Sequence, residues 1–258
     1  MSTGPRGTGG GQGVAVPGGQ GGPFRGAGDR SGARPSPVAG GMASTGARLG
    51  PSASSQDYAE TLVEEHPAAA AARGRAAEVG VAPVSPGSAA ALTFLAATLG
   101  ARSAVEIGTG TGVSALALVS GLRTGGVLTT VDSEGEHCRL ARATMAEAGI
   151  APTRARLING RALDVLPRLT DGAYDVVLAD ADPGENLEYL TEALRLLRPG
   201  GAVAFTGALA GDAAADPSRS DAAATQARAL HRAVLEDERL SVVLLPVGNG
   251  LLVATVTG

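Results

Sequence analysis

The sequence predicts an α/β domain: a doubly wound, mostly parallel seven-stranded sheet ending in an antiparallel hairpin. Three observations carry this. From residue 104 onward short apolar runs alternate with longer amphipathic ones, the pattern of a parallel sheet covered on both faces. The first apolar run ends in alternate glycines that open a helix, as at a ligand-binding strand end. The last two runs, Ser241–Pro246 and Leu251–Val256, are joined only by Val247, Gly248, Asn249 and Gly250. So short a link makes an antiparallel pair, because a parallel crossover needs about a dozen residues.

The elements follow in order. Asp57–Glu65 and Ala68–Val79 read as helices separated by His66-Pro67, where proline disfavours helix at the residue before it. Pro83 and Pro86 mark a loop, and Ser88–Leu99 is a helix closed by Gly100. Ala104–Ile107 is a strand, Val113–Leu122 a helix, Val127–Val131 a strand ending in Asp132, and Glu134–Ala148 a helix closed by Gly149. Arg154–Ile158, Tyr174–Ala179 and Ala202–Phe205 are strands. Between and after them lie the helices Ala162–Leu169, Leu187–Leu197 (stopped by Pro199-Gly200-Gly201) and Asp221–Glu236. Glu60, Glu64 and Glu65 read as a solvated helix face, and the arginines of Asp221–Arg239 as i,i+4 surface pairs.

Composition narrows the chemistry. Aromatics are 2%, so the core must be Ala, Val and Leu. The net charge of -4 gives no support to nucleic-acid binding. All 21 basic residues are Arg, which excludes a catalytic, Schiff-base or Walker-type lysine. A single cysteine, Cys138, excludes an intrachain disulfide and a Cys-based zinc site. Cys138 and His137 read as a buried small residue and a surface imidazole. Of 39 glycines, 17 lie in the first 50 residues, with five Arg against one Asp. Residues 1–53 therefore carry about +4 and no apolar period, and are expected to be a disordered tail before a domain at 54–258. No stretch matches a signal peptide or the ~18–20 apolar residues of a membrane span, so a soluble, cytoplasmic protein with no membrane partner is expected.

The strongest motif is Val105-Glu106-Ile107-Gly108-Thr109-Gly110-Thr111-Gly112. Its glycines let backbone approach a ligand at a helix N-terminus. A dinucleotide fingerprint needs glycine at its sixth position, which here is Val113. Glu106 would repel a pyrophosphate but suits a cationic amino group. Asp132, at the end of the second strand, can accept the hydroxyls of a ribose. An acceptor for sugar hydroxyls, a carboxylate for an ammonium and no phosphate lysine fit S-adenosylmethionine better than NAD or ATP.

These residues, with Thr129-Thr130-Val131-Asp132, Asn159-Gly160-Arg161-Ala162, Tyr174–Asp182 and Leu196–Gly201, resemble the catechol and caffeoyl-CoA type O-methyltransferases. These are class I enzymes dependent on S-adenosylmethionine, and the arrangement is most similar to their small actinobacterial members. The resemblance spans about residues 56–258. It implies that Val84 packs near the methionine end of the cofactor and that Glu106 holds its amino group. Gly108 and Thr109 would line the amino-acid part with backbone, and Ser114 would bind the carboxylate. Asp132 would take the ribose hydroxyls, with Ser133 beside the adenine and Ala162 meeting it through backbone N–H. Asp182 is counted with these contacts, and Asp180 is the expected catalytic residue.

The resemblance also locates a departure. Metal-dependent members hold a divalent cation with an Asp after the fourth strand and an Asp-Asn pair after the fifth. Asp180 matches the first ligand, but Thr206 and Gly207 stand at the pair. Too few ligands remain for a hard cation unless Asp182 or Asp212 helps. The family's catalytic lysine is replaced by Pro183. Proton transfer from a phenol to an ordinary Asp is uphill by roughly 8 kcal/mol, so Asp180 needs a raised pKa or a more acidic acceptor. The expectation is methyl transfer to a hydroxyl of a small-molecule acceptor without a metal. A cofactor-binding sensor or scaffold that has lost turnover is the alternative. An NAD oxidoreductase is disfavoured by Val113 and the terminal hairpin, and a homodimer is left open.

Overall fold

The computed structural model of the chain describes residue 4 and residues 52–257; most of the expected tail, 1–53, lies outside the described residues. Three helices come first: α1 (Ala53–Thr61), α2 (Pro67–Glu78) and α3 (Pro86–Thr98). Each has its own start signal. Ser52 and Ser85 cap α1 and α3 with their hydroxyls, and His66 caps α2 with its ring, each accepting an N–H of the first turn. Then β1 (Ser103–Ile107), α4 (Val113–Gly121), β2 (Val127–Asp132), α5 (Gly135–Glu147) and β3 (Ala155–Asn159) alternate. They are followed by the short α6 (Ala162–Val165) with a 3-10 turn at Leu166–Arg168, then β4 (Tyr174–Ala179). The chain ends with α7 (Asn186–Leu196), β5 (Leu197–Phe205), α8 (Ala222–Glu236), β6 (Leu240–Leu245) and β7 (Leu251–Val256).

The sheet order is β3-β2-β1-β4-β5-β7-β6. The first five strands are parallel, and β7 pairs antiparallel with both β5 and β6. The chain winds outward from β1 to β3, then crosses to β4 on the other side of β1. The gap between the ends of β1 and β4 is thus the switch point of the topology, where open α/β sheets bind ligands. Side chains alternate across the sheet and build two cores. Ala104, Leu128, Val176, Leu178, Ala202 and Val253 pack under Leu92, Ala115 and Leu118 of α3 and α4. Val105, Ile107, Val177, Val203, Phe205 and Ala254 pack against Leu190, Leu196, Leu230 and Val234 of α7 and α8. Helix α4 is buried from Val113 to Val119, which is why its sequence carries no polar face.

Three expectations shift. Helix α1 lies four residues earlier than its apolar spacing suggests, because Ser52 starts it. Strand β5 begins at Leu197, not Ala202, and runs through Pro199-Gly200-Gly201: Tyr174 pairs with Leu197, but Val176 pairs with Ala202, so the extra residues bulge out. The acidic residues expected on one solvated helix face are not merely solvated, and Glu64 and Glu65 lie beyond the end of α1. Glu60 accepts the N–H of Gly87 at 2.7 Å and of Gly248 at 2.5 Å, tying α1 to α3 and to the β6–β7 turn. Glu65 is bonded to Arg73 by two hydrogen bonds. Nor does the last helix carry the expected i,i+4 pairs. Arg219 and Arg239 pair with Asp221 and Asp237 two residues away, while Arg228 donates to the carbonyls of Ala213, Asp216 and Arg219.

Candidate active site

The strand ends converge on a cleft of about 400 Å³. Its floor is the turn after β1. Gly108 adopts φ +90°, and a Cβ there would lie 2.0 Å from the carbonyl oxygen of Asp180, so only glycine lets the ends of β1 and β4 approach this closely. The approach is sealed by backbone: Asp180 N–H donates to Ile107 O at 2.8 Å, and Gly108 N–H to Val131 O at 2.9 Å. Gly112, at φ +92°, then turns the chain into α4 against Ala141 of α5.

Asp132 ends β2 beside this turn. Its Oδ2 accepts the N–H groups of Thr109 and Gly110 at 3.0 and 2.9 Å, and its Oδ1 accepts Glu134 N–H at 2.9 Å. Asn159 fixes the same loop from β3, donating to the carbonyls of Asp132 and Ser133 at 3.0 and 2.9 Å. Glu106 lies one layer below the lining, with no exposed surface. Thr130 donates to its Oε2 at 2.5 Å, and the hydroxyls of Thr130 and Thr109 are 2.6 Å apart. Its Oε1 is buried with no hydrogen-bond partner among the described residues. Burial pushes the Glu106 carboxyl up to about 8; the hydroxyls of Thr130 and Ser114 act the other way, and the charges of Asp180 and Asp132 add to the rise.

Asp180 stands at the end of β4, with its carboxyl largely enclosed and one edge on the cleft. Thr206 Oγ1, just past β5, donates to its Oδ1. Burial raises its pKa to about 6 against the lowering pull of that hydroxyl. Across the mouth, Tyr189 of α7 donates to Glu185 Oε2 at 2.5 Å, and Arg161 approaches Glu185 at 3.4 Å. Burial and the neighbouring Glu185 push the Tyr189 phenol further above its usual range.

The cleft therefore brings together Gly108, Asp132, Ser133, Ala162, Asp180 and Asp182. Ala162 opens α6, so its N–H has no acceptor within the helix. Asp182 is exposed and accepts Gly184 N–H at 2.9 Å, starting a 3-10 turn at Pro183. Thr109 and Ser114 are buried behind the lining, and the Thr109 N–H is already given to Asp132. Val84 sits in the core with Leu92 and Val113, off the cleft, and its carbonyl accepts from Arg73 at 2.6 Å.

The model of the O-methyltransferase family matches residues 53–256. The chain belongs to that family. A proposed O-methyltransferase of Mycobacteroides abscessus is 48% identical over 198 residues, covering 77% of this chain and 92% of the relative. The crystal structure of a Corynebacterium glutamicum protein superposes with a TM-score of 0.74 at 35% identity, covering 80% of this chain and 96% of that one. The O-methyltransferase TomG of Streptomyces achromogenes, solved with S-adenosylmethionine, gives 0.72 at 32% identity with the same coverage. A Bacillus cereus O-methyltransferase solved with S-adenosylhomocysteine gives 0.70 at 26% identity, covering 78% and 96%.

Within this O-methyltransferase, the structure corrects the reading of His137 and adds two hydrogen-bonded series that the sequence did not reveal. His137 is not a surface imidazole. It is half-buried in the cleft, with Nδ1 3.2 Å from Asp132 Oδ1, because the first turn of α5 folds back over the end of β2. The Thr109–Thr130–Glu106 chain crosses two strands, and only the parallel register that sets Glu106 opposite Thr130 reveals it. The Arg161–Glu185–Tyr189 series joins residues up to 28 positions apart; only the i,i+4 spacing of Glu185 and Tyr189 is visible in sequence.

Proposed function

We propose that this O-methyltransferase moves the methyl group of S-adenosylmethionine to a hydroxyl of a small-molecule acceptor, with no divalent cation. The observation that carries this is the constellation at the switch point: a glycine turn, Asp132 and Asp180 around one cleft, with Glu106 directly beneath. The relatives solved with S-adenosylmethionine and S-adenosylhomocysteine support the cofactor. The residues fit it. Among the described residues Glu106 Oε1 is an orphaned buried acceptor suited to an ammonium, and Gly108 lets the ends of β1 and β4 close together beneath the cleft.

When bound, the cofactor supplies a methyl group on a sulfonium, an electrophile that an oxygen attacks in line. Asp132, at the lip of the cleft, holds the ribose hydroxyls, and Ser133 and Ala162 flank the base. Ser114, expected at the carboxylate, is buried behind the lining and faces Glu106, so it backs the amino-acid end of the site from the first turn of α4. Asp180 receives the acceptor's proton. With its pKa near 6 the transfer from a phenol is uphill by about 5 kcal/mol, against roughly 8 for an ordinary Asp. Positioning contributes the rest.

The residues do not fit the family's metal. Asp180 Oδ1 is engaged by the Thr206 hydroxyl, and Gly207 carries no donor side chain. Asp212 is exposed on the loop after β5, and among the described residues no three His, Cys, Asp or Glu side chains group as a site. We therefore expect S-adenosylhomocysteine to bind in titration calorimetry. On a panel of phenolic and other hydroxyl acceptors, methyl transfer should proceed equally with EDTA and with magnesium. Activity lost on chelation and restored by magnesium would overturn the metal-free reading. Tight cofactor binding with no methylated acceptor would favour the sensor.

A further inference from the structure

Glu106 poses a problem that its role as an ammonium acceptor does not solve. A carboxylate with no exposed surface and, among the described residues, one oxygen without a partner and no cation acting on it is costly to keep ionised. The charged groups facing it make this worse. Asp132 at the end of β2 and Asp180 at the end of β4 are both acidic, and α4 presents only the Ser114 hydroxyl. His137 lies beyond Asp132 and is bonded to that carboxylate. We infer that Glu106 is a neutral carboxylic acid in the ligand-free protein and becomes a carboxylate when the cationic amino-acid end of the cofactor docks, so that cofactor binding releases one proton. This rests on the cofactor reading above. The step balances: the Glu106 O–H bond breaks, its proton leaves to the solvent, and the ligand's ammonium donates to the carboxylate that remains.

The hydroxyl chain suits both states. Toward an ionised Glu106, Thr130 donates to Oε2 and accepts from Thr109. Toward a neutral acid, the two threonine hydrogens can turn, since neither hydroxyl is fixed as donor to the other. The pair stays satisfied while the proton comes and goes, and the unpartnered Oε1 is the atom left for proton or ammonium. The rise to about 8 at Glu106, against about 6 at Asp180, gives a window near pH 7 where Glu106 still holds its proton and Asp180 has largely lost its own.

The test is calorimetry of the full chain with S-adenosylhomocysteine at pH 7 in phosphate and in Tris. The dependence of the observed heat on buffer ionisation heat counts the protons released. Wild type should release close to one, and its affinity should tighten about tenfold per pH unit between pH 6 and 7. Glu106→Gln keeps the shape of the neutral acid but has no proton to give, so its count should fall to zero and its affinity become flat with pH. If that variant does not fold, Asp180→Asn takes its place, and release retained there supports Glu106 as the source. Binding by wild type with no proton released, or release that persists in Glu106→Gln, overturns the inference and leaves the cofactor reading standing. No binding at all overturns both.

Discussion

Asp180 is held between two opposing influences, burial that raises its pKa and a Thr206 hydroxyl that lowers it. Thr206 stands where the resemblance to metal-dependent O-methyltransferases places a ligand, and here its hydroxyl donates to the Asp180 carboxylate instead. Thr206→Val deletes only the lowering influence. Its activity should therefore rise with pH through a midpoint above about 6, being lower than wild type near pH 6 and recovering by pH 8. Superimposable profiles, with whichever acceptor the panel identifies, would show that Asp180 is not the base. Asp132 and Asp180 were legible in the sequence because each ends an apolar run, and Glu106 because it interrupts one two residues before Gly108. His137 was not, because the distance that brings it to Asp132 is set by how α5 folds over β2.

At the scale of elements, the site exists because β1 and β4 end in contact. Gly108 is the residue that permits it, with φ +90° and no room for a Cβ against Asp180 O. Gly108→Ala must both strain the backbone, at about 1–3 kcal/mol, and push the two strand ends apart. Gly172→Ala is the control: it is also left-handed, at φ +61°, but faces open space. The control should lose a few degrees of melting temperature, at roughly 2–4 °C per kcal/mol for a domain of this size. Gly108→Ala should lose clearly more and should also lose S-adenosylhomocysteine binding. Retained affinity would mean the turn is not part of the cofactor floor. The alternation of elements was readable throughout, but the start of β5 was not. Pro-Gly-Gly is a stop signal locally, and the pairing of Tyr174 with Leu197 overrides it.

For the molecule as a whole, we place the domain boundary at the start of α1. Ser52 caps that helix, Glu60 anchors it to α3 and the terminal turn, and the glycine-rich segment before it has no apolar period. A chain beginning at residue 52 should melt within a few degrees of the full chain and bind S-adenosylhomocysteine equally well. A loss above about 10 °C, several kcal/mol at this size, would make the segment part of the domain.

The sequence by itself determined the sheet, its winding and its terminal hairpin, because periodicity and link length act locally and are written residue by residue. It also pointed to the ligand class, through a glycine turn followed by an acid at the next strand end; the resemblance added the expectation that Thr206 and Gly207 replace two metal ligands and Pro183 a lysine. The tertiary structure alone decided which of those residues reach the cleft. Glu106 and Thr109 are adjacent in motif to Gly108, yet pleating and the turn put them behind the lining. It also set the direction in which burial pushes the carboxyls of Glu106 and Asp180, upward in both. Their charge depends on how much water is excluded and which carboxylates lie opposite, and those distances arise only when β1, β2 and β4 come together.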